Sequence, residues 1–442
     1  MNKISEIFDF QAILSLIIIL GIISSILVSN FRSKDTRRVF CPSTFVSLVL
    51  LYYAIIGPFY TILTGDTTYR LTDMSPYYSI SWAGVAVMLA GYYPVWLLNW
   101  SPISKSRFQY SENAIMKSAT IVFIIGMLMY MLWMGSNLKI LIYGYSEVNK
   151  FKNEGTFVMY LMQGLGLLIV PLCCFMRTKL TTDRRMLWFF ALLALVLWIY
   201  LSSGFRFRIV LIIINLATVY YIIKSTRPNV VVWSIVGLVF ILLMGVMEYS
   251  RTYEKGLNLQ KIEGKGTDEL FEGGTNEARI FMASGAVMKQ AQKKGDYAYI
   301  DPIMNAVLMP LPYAIFPQKR AFLGYMSGRV DSVFGRNGTG IAVMEYAEAF
   351  VAFGWIGIFL LGAFMGYISK RIWNYFETSD GELLSLLTLA SFNGFLYIYI
   401  SRGYLAQILT SSFFYVMIPL WLFHFFAKRY TLKENFEYDE RI

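Results

Sequence analysis

Apolar residues run through the chain in long blocks that short polar and charged breaks separate. Reading each block between its breaks predicts eleven hydrophobic helices, with bounds near 10–29, 41–64, 78–100, 117–135, 157–177, 186–203, 208–223, 230–249, 348–369, 382–400 and 404–427. Several blocks reach the roughly 20 residues that an α-helix needs to cross about 30 Å of hydrocarbon. The pattern therefore predicts an all-α polytopic membrane protein with about eleven transmembrane helices.

The composition agrees with this fold class. Of the 442 residues, 57% are hydrophobic and 15% are charged, whereas a water-soluble protein carries about 25% charged residues. The 31 Tyr and 34 Phe suit a protein whose aromatic side chains gather at membrane interfaces. The three cysteines, Cys41, Cys173 and Cys174, lie in or beside apolar blocks. These features exclude a soluble enzyme, a nucleic-acid-binding domain and a secreted disulfide scaffold.

Membrane topology explains the net charge of +11 better than nucleic-acid binding does. Alternate connections between the predicted spans form two sets, and the short segments of one set carry 19 Lys and Arg against eight in the other. Lys and Arg in short connections mark the cytoplasmic side of a membrane. We therefore expect the N-terminus outside and the C-terminus in the cytoplasm.

This topology predicts four regions: spans 1 to 8 in 1–249, a large outer loop in 250–347, spans 9 to 11 in 348–427, and a cytoplasmic tail in 428–442. The loop contains helix-like stretches at Glu277–Gln292 and Asp301–Met309. Loops of this length are usually functional. We expect the loop to pack helices over the spans.

Few motifs of soluble enzymes are available to this chain. It has no P-loop and no GxGxxG motif that opens a helix after a strand. Its single histidine, His424, is interpreted as an interfacial helix residue. Asp66 and Asp73 could hold a divalent ion in a metal-dependent membrane glycosyltransferase, although solvated loop acids are the favoured interpretation.

Arginines at the predicted outer face are the main candidates for chemistry. Arg206 and Arg208 lie in the short connection between the sixth and seventh spans, and Arg402 lies in the turn between the tenth and eleventh. Charge buried at a membrane interface is costly and indicates function by default. The guanidinium fork also matches phosphate oxygens, which suits a lipid pyrophosphate. The alternative is that these arginines are outer-flank anchors.

The predicted outer loop adds further charged candidates. Four are cations, namely Arg279, Lys319, Arg329 and Arg336. Glu345 and Glu348 follow them at a spacing that puts both carboxylates on one helix face, at the mouth of the ninth span. A carboxylate there could act as general base on a sugar hydroxyl, or it could simply be part of a polar helix entry.

Three motifs resemble those of the Wzy-type polymerases of bacterial O-antigen and oligosaccharide repeat units. Residues 311–319 resemble the family's proline-rich stretch that ends in Lys. Residues 348–357 are similar to its acid-aromatic signature with Phe-Gly-x-x-Gly, and residues 203–206 to its small-small-x-Arg hairpin. Phe205 departs from the small polar residue often found in that hairpin, and Arg208 adds a second cation. Which of the two arginines acts therefore stays open.

The resemblance implies a GT-C-like integral membrane glycosyltransferase of the bacterial inner membrane. Such an enzyme transfers a growing glycan from undecaprenyl pyrophosphate to a newly flipped lipid-linked repeat unit, without metal, nucleotide or other cofactor. Arg206, Arg279 and Arg402 would bind the donor pyrophosphate, and Glu348 would act on the acceptor hydroxyl. The expected substrate-binding residues are Arg208, Lys319, Arg329, Arg336 and Glu345. The expected partners are undecaprenyl-pyrophosphate-linked glycans and the lipid bilayer, with a chain-length regulator as a further candidate and no nucleic acid.

Three other functions stay open at this point. A flippase or another transporter of lipid-linked oligosaccharides would place polar groups along its helix bundle at mid-membrane. A glycan ligase of related layout would need an outer-loop histidine, which this chain lacks. A peptidoglycan-type polymerase would use an aspartate of the outer loop, for which Asp301 or Asp331 would be the candidates.

Overall fold

The structure is a computed structural model of the whole chain. It describes residues 7–64, 75–101, 108–135, 156–181, 186–202, 206–252, 256–275, 279–311, 315–316, 325–334, 342–379 and 382–439.

These residues are almost wholly helical. The α-helices, in chain order, are α1 Phe10–Arg32, α2 Pro42–Leu50, α3 Gly57–Thr64, α4 Ser75–Leu97, α5 Glu112–Met134, α6 Thr156–Gln163, α7 Ile169–Thr181, α8 Met186–Ser202, α9 Arg206–Lys224, α10 Val230–Ser250, α11 Thr267–Thr275, α12 Arg279–Lys294, α13 Asp301–Leu308, α14 Tyr325–Phe334, α15 Glu345–Thr378, α16 Leu383–Ser401, α17 Leu405–Ser412 and α18 Ile418–Asp439. The 3₁₀ segments are Thr36–Phe40, Gly164–Leu168 and Leu259–Ile262, and the π segments are Leu51–Ile56 and Phe413–Met417. One antiparallel pair of two-residue strands, β1 Arg251–Thr252 and β2 Gly256–Leu257, follows α10.

Within the described part of the chain, nine helical segments are long and apolar enough to cross a membrane. They are Phe10–Arg32, Pro42–Leu63, Tyr77–Leu97, Glu112–Met134, Tyr160–Thr181, Val230–Ser250, Glu345–Thr378, Leu383–Ser401 and Leu405–Glu434. Apart from the short strand pair, this confirms the prediction of a helical, multi-pass membrane protein. The sixth and seventh predicted spans fall on α8, which is a shorter apolar helix of 17 residues, and on α9, which carries three basic residues. The number eleven and the orientation of the termini stay predictions.

Several helices begin where the sequence offers a suitable cap. The first amides of an α-helix lack partners within the helix, and side-chain oxygens satisfy them at α1 and α5. Asp9 Oδ1 accepts from the Ala12 amide at 2.7 Å, and Ser111 Oγ accepts from the Ala114 amide at 3.0 Å. Pro42 opens α2, a position where its missing N–H costs nothing.

The long helix α15 is broken near its start. Phe353 has φ −135° and ψ 19°, and Gly354 has φ +63° and ψ −149°, a conformation that is essentially restricted to glycine. Glu345 and Glu348 therefore lie on a short helix that precedes the break. The break also takes the Val351 carbonyl out of the regular ladder, and the Ala298 amide donates to it at 2.8 Å.

The chain forms two compact units, and both are discontinuous in sequence. Unit 1 comprises Met1–Pro102, Asn276–Asn374 and Leu396–Thr410, and unit 2 comprises Ile103–Thr275, Tyr375–Phe395 and Ser411–Ile442. Each unit therefore combines early spans with segments from the last third of the chain.

In unit 1, α12 packs against α4 through a buried polar network. Ser81 Oγ of α4 donates to the Phe281 carbonyl at 2.7 Å. Ser284 Oγ of α12 accepts from the Met344 amide at 2.7 Å, just before α15. Tyr346 Oη then donates to Ser81 Oγ at 3.1 Å. The prediction that a helix of the 250–347 segment packs on a predicted span is thereby confirmed for α12.

In unit 2, α5 is joined to α7 and to α18 by ion pairs. Glu434 of α18 accepts from Lys117 Nζ at 3.2 Å, and Arg177 of α7 donates to Glu112 at 2.7 Å. His424 Nδ1 forms a hydrogen bond with Tyr110 Oη. Burial and the nearby Glu382 carboxylate raise the pKa of Tyr110. The single histidine, His424 of α18, therefore contacts Tyr110, which lies just before α5 in the same unit.

Candidate functional site

The turn that carries Arg402 lies against the segment that leads into α15. The Gly403 amide donates to the Val343 carbonyl at 2.5 Å. A side chain at Gly403 would collide with the Met344 carbonyl, so only glycine allows this close approach. The sequence Arg402-Gly403 is therefore suited to hold a half-buried arginine beside the start of α15.

Glu348 caps the helix that follows this turn. Its Oε2 accepts from the Leu405 amide, the first residue of α17, at 2.6 Å, and the residue is 2% exposed. A carboxylate at a helix N-terminus satisfies an orphan amide and interacts favourably with the helix dipole. The structure thus brings Glu348 and the Arg402 turn together, although they are more than 50 residues apart in the sequence.

Glu345 lies one helical turn before Glu348 and is 4% exposed. Its Oε2 has no hydrogen-bond partner among the residues that the structure describes. Burying a carboxylate without enough hydrogen bonds or opposite charge costs free energy. The fold therefore holds a second acid, Glu345, at a position where burial of its carboxylate is unfavourable.

Asn305 and Tyr404 belong to the same cluster, and the sequence patterns predicted neither. Asn305, on α13, is 1% exposed and donates through Nδ2 to Tyr404 Oη at 2.7 Å. Tyr404 directly follows the Arg402-Gly403 turn. The signal that could have found Asn305 is a single amide within the apolar run Ile303–Leu311, because buried polar side chains are normally hydrogen-bonded.

Arg279 opens α12 and is carried by the same unit as Arg402 and Glu348. The rest of α12 is fixed by the Ser284 and Phe281 contacts described above, so the position of its first residue is set by a buried helix. Three of the four residues predicted to act in catalysis, Arg279, Arg402 and Glu348, therefore belong to unit 1.

Arg206 and Arg208 belong to unit 2 and lie in the first turn of α9. Arg208 is 1% exposed, its Nη1 donates to the Met162 carbonyl at 3.4 Å, and its guanidinium lies 5.7 Å from the centre of the Tyr415 ring. Arg206 begins the helix, but its side chain lies outside the described residues. Convergence of Arg206 with Arg279 and Arg402 stays a prediction.

Of the three remaining predicted cations, the structure describes Arg329 but not Lys319 or Arg336. Arg329 of α14 forms an ion pair with Asp296 at 2.9 Å, at an exposed position. Lys319 and Arg336 lie outside the described residues, as do Asp66 and Asp73. The structure therefore gives Arg329 a contact that links two segments of the 250–347 region.

Comparison with known proteins adds no relative. No protein-family model, curated protein or solved structure matches this chain. What the chain itself offers is an arginine turn, two buried carboxylates and an amide–phenol pair, all gathered where α13, α15 and α17 meet in unit 1. Such a set can bind an anionic group and orient a hydroxyl.

Proposed function

We propose that this chain is an integral membrane glycosyltransferase that polymerises lipid-pyrophosphate-linked oligosaccharide repeat units, as the Wzy-type polymerases do. The observation that carries the proposal is the buried junction of unit 1, where Glu348 caps the helix that follows the Arg402 turn. A donor anion and an acceptor hydroxyl are the two groups that glycosyl transfer from a lipid pyrophosphate must hold, and in this junction the Glu348 carboxylate accepts from the third residue after Arg402.

The arginines would act on the leaving group. Negative charge develops on the pyrophosphate as the bond to the anomeric carbon breaks, and fixed cations stabilise that charge. Arg206, Arg279 and Arg402 are proposed for this role, because each guanidinium can hold two oxygens of one phosphate. Arg208, Lys319, Arg329 and Arg336 are proposed to bind the substrates.

The carboxylates would act on the acceptor. The acceptor hydroxyl loses its proton to Glu348 as its oxygen bonds to the anomeric carbon, and undecaprenyl pyrophosphate departs. Glu345, one turn away, is proposed to bind a second hydroxyl of the acceptor. No metal ion, nucleotide or cofactor is required for this transfer.

The proposed setting is the inner membrane of a bacterium, with a GT-C-like arrangement of helices. The N-terminus and the 250–347 segment would face outside and the C-terminus the cytoplasm, in keeping with the distribution of Lys and Arg. Both substrates have lipid tails, so the site would open laterally to the bilayer. A chain-length regulator is a proposed partner.

One observation favours a second candidate, a transporter of lipid-linked oligosaccharides. Arg208 is buried within unit 2 against a backbone carbonyl and an aromatic ring. Charged residues inside a helix bundle often mark a substrate pathway. The two functions predict different phenotypes when the gene is deleted.

The test is gene deletion followed by gel analysis of surface polysaccharide. Single-repeat products without a ladder would support a polymerase, whereas loss of all surface glycan would support a transporter. Complementation with Arg402→Lys keeps the charge but loses the fork, so a charge-assisted bond of about 1.5–3 kcal/mol is lost. If that bond forms only in the transition state, polymerisation falls about 10- to 150-fold.

Arg371→Lys is the matched control, because Arg371 donates to the Ser101 carbonyl at an exposed position and has no proposed role in transfer. It should restore a full ladder. A full ladder from Arg402→Lys, or from a triple alanine variant at Arg206, Arg279 and Arg402 that inserts normally, would contradict the arginine mechanism.

A further inference from the structure

A polar cleft in unit 1 lies among residues that the proposed transfer does not use. Four separate segments line it: the start of α1, the first half of α4, the second half of α12 and the residue that follows the break in α15. The lining residues are Asp9, Gln11, Ser79, Ile80, Lys289, Gln292 and Trp355. We call it the Asp9–Trp355 cleft. Its volume of about 160 Å³ is the room of about five water molecules.

The chemistry of the lining selects for a neutral ligand with many hydroxyls. Five of the seven side chains are polar, which disfavours a lipid tail. One is a carboxylate and one is an ammonium, so the cleft carries no net charge and offers little to a pyrophosphate. The carboxylate only accepts hydrogen bonds, the ammonium only donates them, and the two glutamines do both. Hydroxyl groups, which donate and accept, match all three kinds.

Two of the polar groups are held in place by the fold. Asp9 Oδ1 accepts from the Ala12 amide at 2.7 Å and from Ser79 Oγ at 2.8 Å. These bonds fix the carboxylate to the first turn of α1 and to α4. A fixed acceptor loses little conformational entropy when a ligand binds, which favours recognition over simple solvation.

Trp355 supplies an aromatic wall. It comes directly after Gly354, so the break in α15 determines where the indole is placed. The ring of Phe350 packs against it with centroids 5.1 Å apart and an angle of 76° between the planes. An indole combines a large apolar surface with a polar N–H. It therefore suits a pyranose ring, which has an apolar C–H face and a rim of hydroxyls.

We propose that the Asp9–Trp355 cleft is a sugar-binding subsite that holds one neutral pyranose ring against Trp355, with Asp9, Lys289 and the two glutamines around its hydroxyls. The expectation that a glycan reaches this cleft rests on the proposed function. The four segments are also those that the charge distribution places outside: the N-terminus, the first outer loop's end, the 250–347 segment and the entry to the ninth predicted span.

The binding test uses the full chain in lipid nanodiscs with saturation-transfer NMR. The probes are the methyl glycosides of glucose, galactose, mannose and N-acetylglucosamine. At least one of them should bind, and Trp355→Ala should weaken it about 2- to 12-fold, the factor that corresponds to an aromatic contact of about 0.5–1.5 kcal/mol. Trp355→Phe should recover part of the affinity.

Controls separate this effect from misfolding. Lys289→Ala and Gln292→Ala change exposed residues, so they should weaken glycoside binding while the chain stays folded. Trp188→Ala removes an indole of α8 that is 72% exposed and should leave binding unchanged. Failure of all four glycosides to bind, or unchanged binding in Trp355→Ala and Lys289→Ala, would overturn the proposal. The proposal would also be overturned if phosphatidylethanolamine displaced the glycosides and the cleft showed no preference among them, because the cleft would then be a lipid-headgroup site.

A second measurement distinguishes the source of the sugar and separates this proposal from the proposed function. With Lys289→Ala in cells, a shorter modal length of the polysaccharide would mark a site for the growing glycan, and less polymer of normal length would mark one for the incoming unit. Glycoside binding that persists in a chain without polymerase activity would contradict only the function. A normal ladder from Lys289→Ala and Gln292→Ala together, with no glycoside binding, would contradict only the cleft.

Discussion

At the scale of single residues, Glu348 is the side chain with the most to explain. It is almost fully buried, yet it accepts a hydrogen bond from the first amide of α17 at 2.6 Å. That bond alone accounts for an acid at this position, because a helix end that is buried without a partner is unfavourable. The structural role and the proposed chemical role of Glu348 make different demands, so two substitutions separate them.

We expect Glu348→Gln to fold and to lose polymer formation, since the amide oxygen can still accept from Leu405 but cannot take a proton. Glu348→Ala removes the cap as well and should lower the free energy of unfolding by about 1–3 kcal/mol. Denaturant unfolding in detergent and a polysaccharide gel measure the two effects. If a stable Glu348→Gln variant still gave a ladder of normal length, Glu348 would have only its structural role as the cap of α17.

The pair of Asn305 and Tyr404 offers a cleaner measurement of packing around the site. Tyr404→Phe should destabilise the protein by about 1–3 kcal/mol, because it leaves the buried Asn305 amide without this bond, and Asn305→Ala should cost about 0.5–1.5 kcal/mol, the net contribution of the hydrogen bond that it removes. A double-mutant cycle isolates their interaction. The expected coupling is about 0.5–1.5 kcal/mol, and additive effects of the two substitutions would contradict a direct bond in the folded protein.

At the scale of elements, the break in α15 decides which residues enter the predicted ninth span. The helix that follows it runs from Trp355 to Thr378, which at 1.5 Å per residue spans about 36 Å. The acids before the break thus belong to a separate short helix. The sequence predicts a polar entry near Glu348, but it hides the break, because glycine is also common within regular transmembrane helices.

We expect Gly354→Ala to lower the free energy of unfolding by about 1–3 kcal/mol, the cost of forcing a side chain into this backbone conformation. Gly328→Ala is the matched control. Gly328 lies inside α14 with open space where a methyl group would go, so that change should stabilise the protein by up to about 1 kcal/mol. Equal effects of the two substitutions would show that the break is not required.

At the scale of the whole molecule, the sequence predicted the helices far better than the contacts between them. Long apolar runs indicate membrane helices wherever they occur, and each predicted span overlaps described helical residues, although the second, fifth and eleventh each fall on two α-helices joined by a 3₁₀ or π segment. The cap by Glu348 could not be predicted, because it joins residues 348 and 405 through tertiary packing. The sequence placed Arg208 in the short connection at the start of the seventh predicted span, whereas α9 begins two residues earlier, at Arg206, and Arg208 is buried within unit 2.

The predicted topology can be checked by cysteine labelling in intact cells. The native cysteines Cys41, Cys173 and Cys174 are buried, so a membrane-impermeant maleimide should give little background. Lys265→Cys should label from outside, and Lys179→Cys should label only after the membrane is opened. The reverse pattern would invert the orientation and place the Arg402 turn at the cytoplasmic face.

The discontinuity of unit 1 has a consequence for biosynthesis. Its first segment ends at Pro102 and its last at Thr410, and contacts such as the 2.9 Å hydrogen bond between Tyr53 and Tyr397 hydroxyls join the two. At about 5–20 residues per second, the ribosome needs about 15–60 s to make the intervening chain. During this time the early helices lie in the bilayer while polar groups such as the Tyr53 hydroxyl lack their partners from the last segment. Pausing or truncating translation before residue 397 should leave them as targets for membrane quality control.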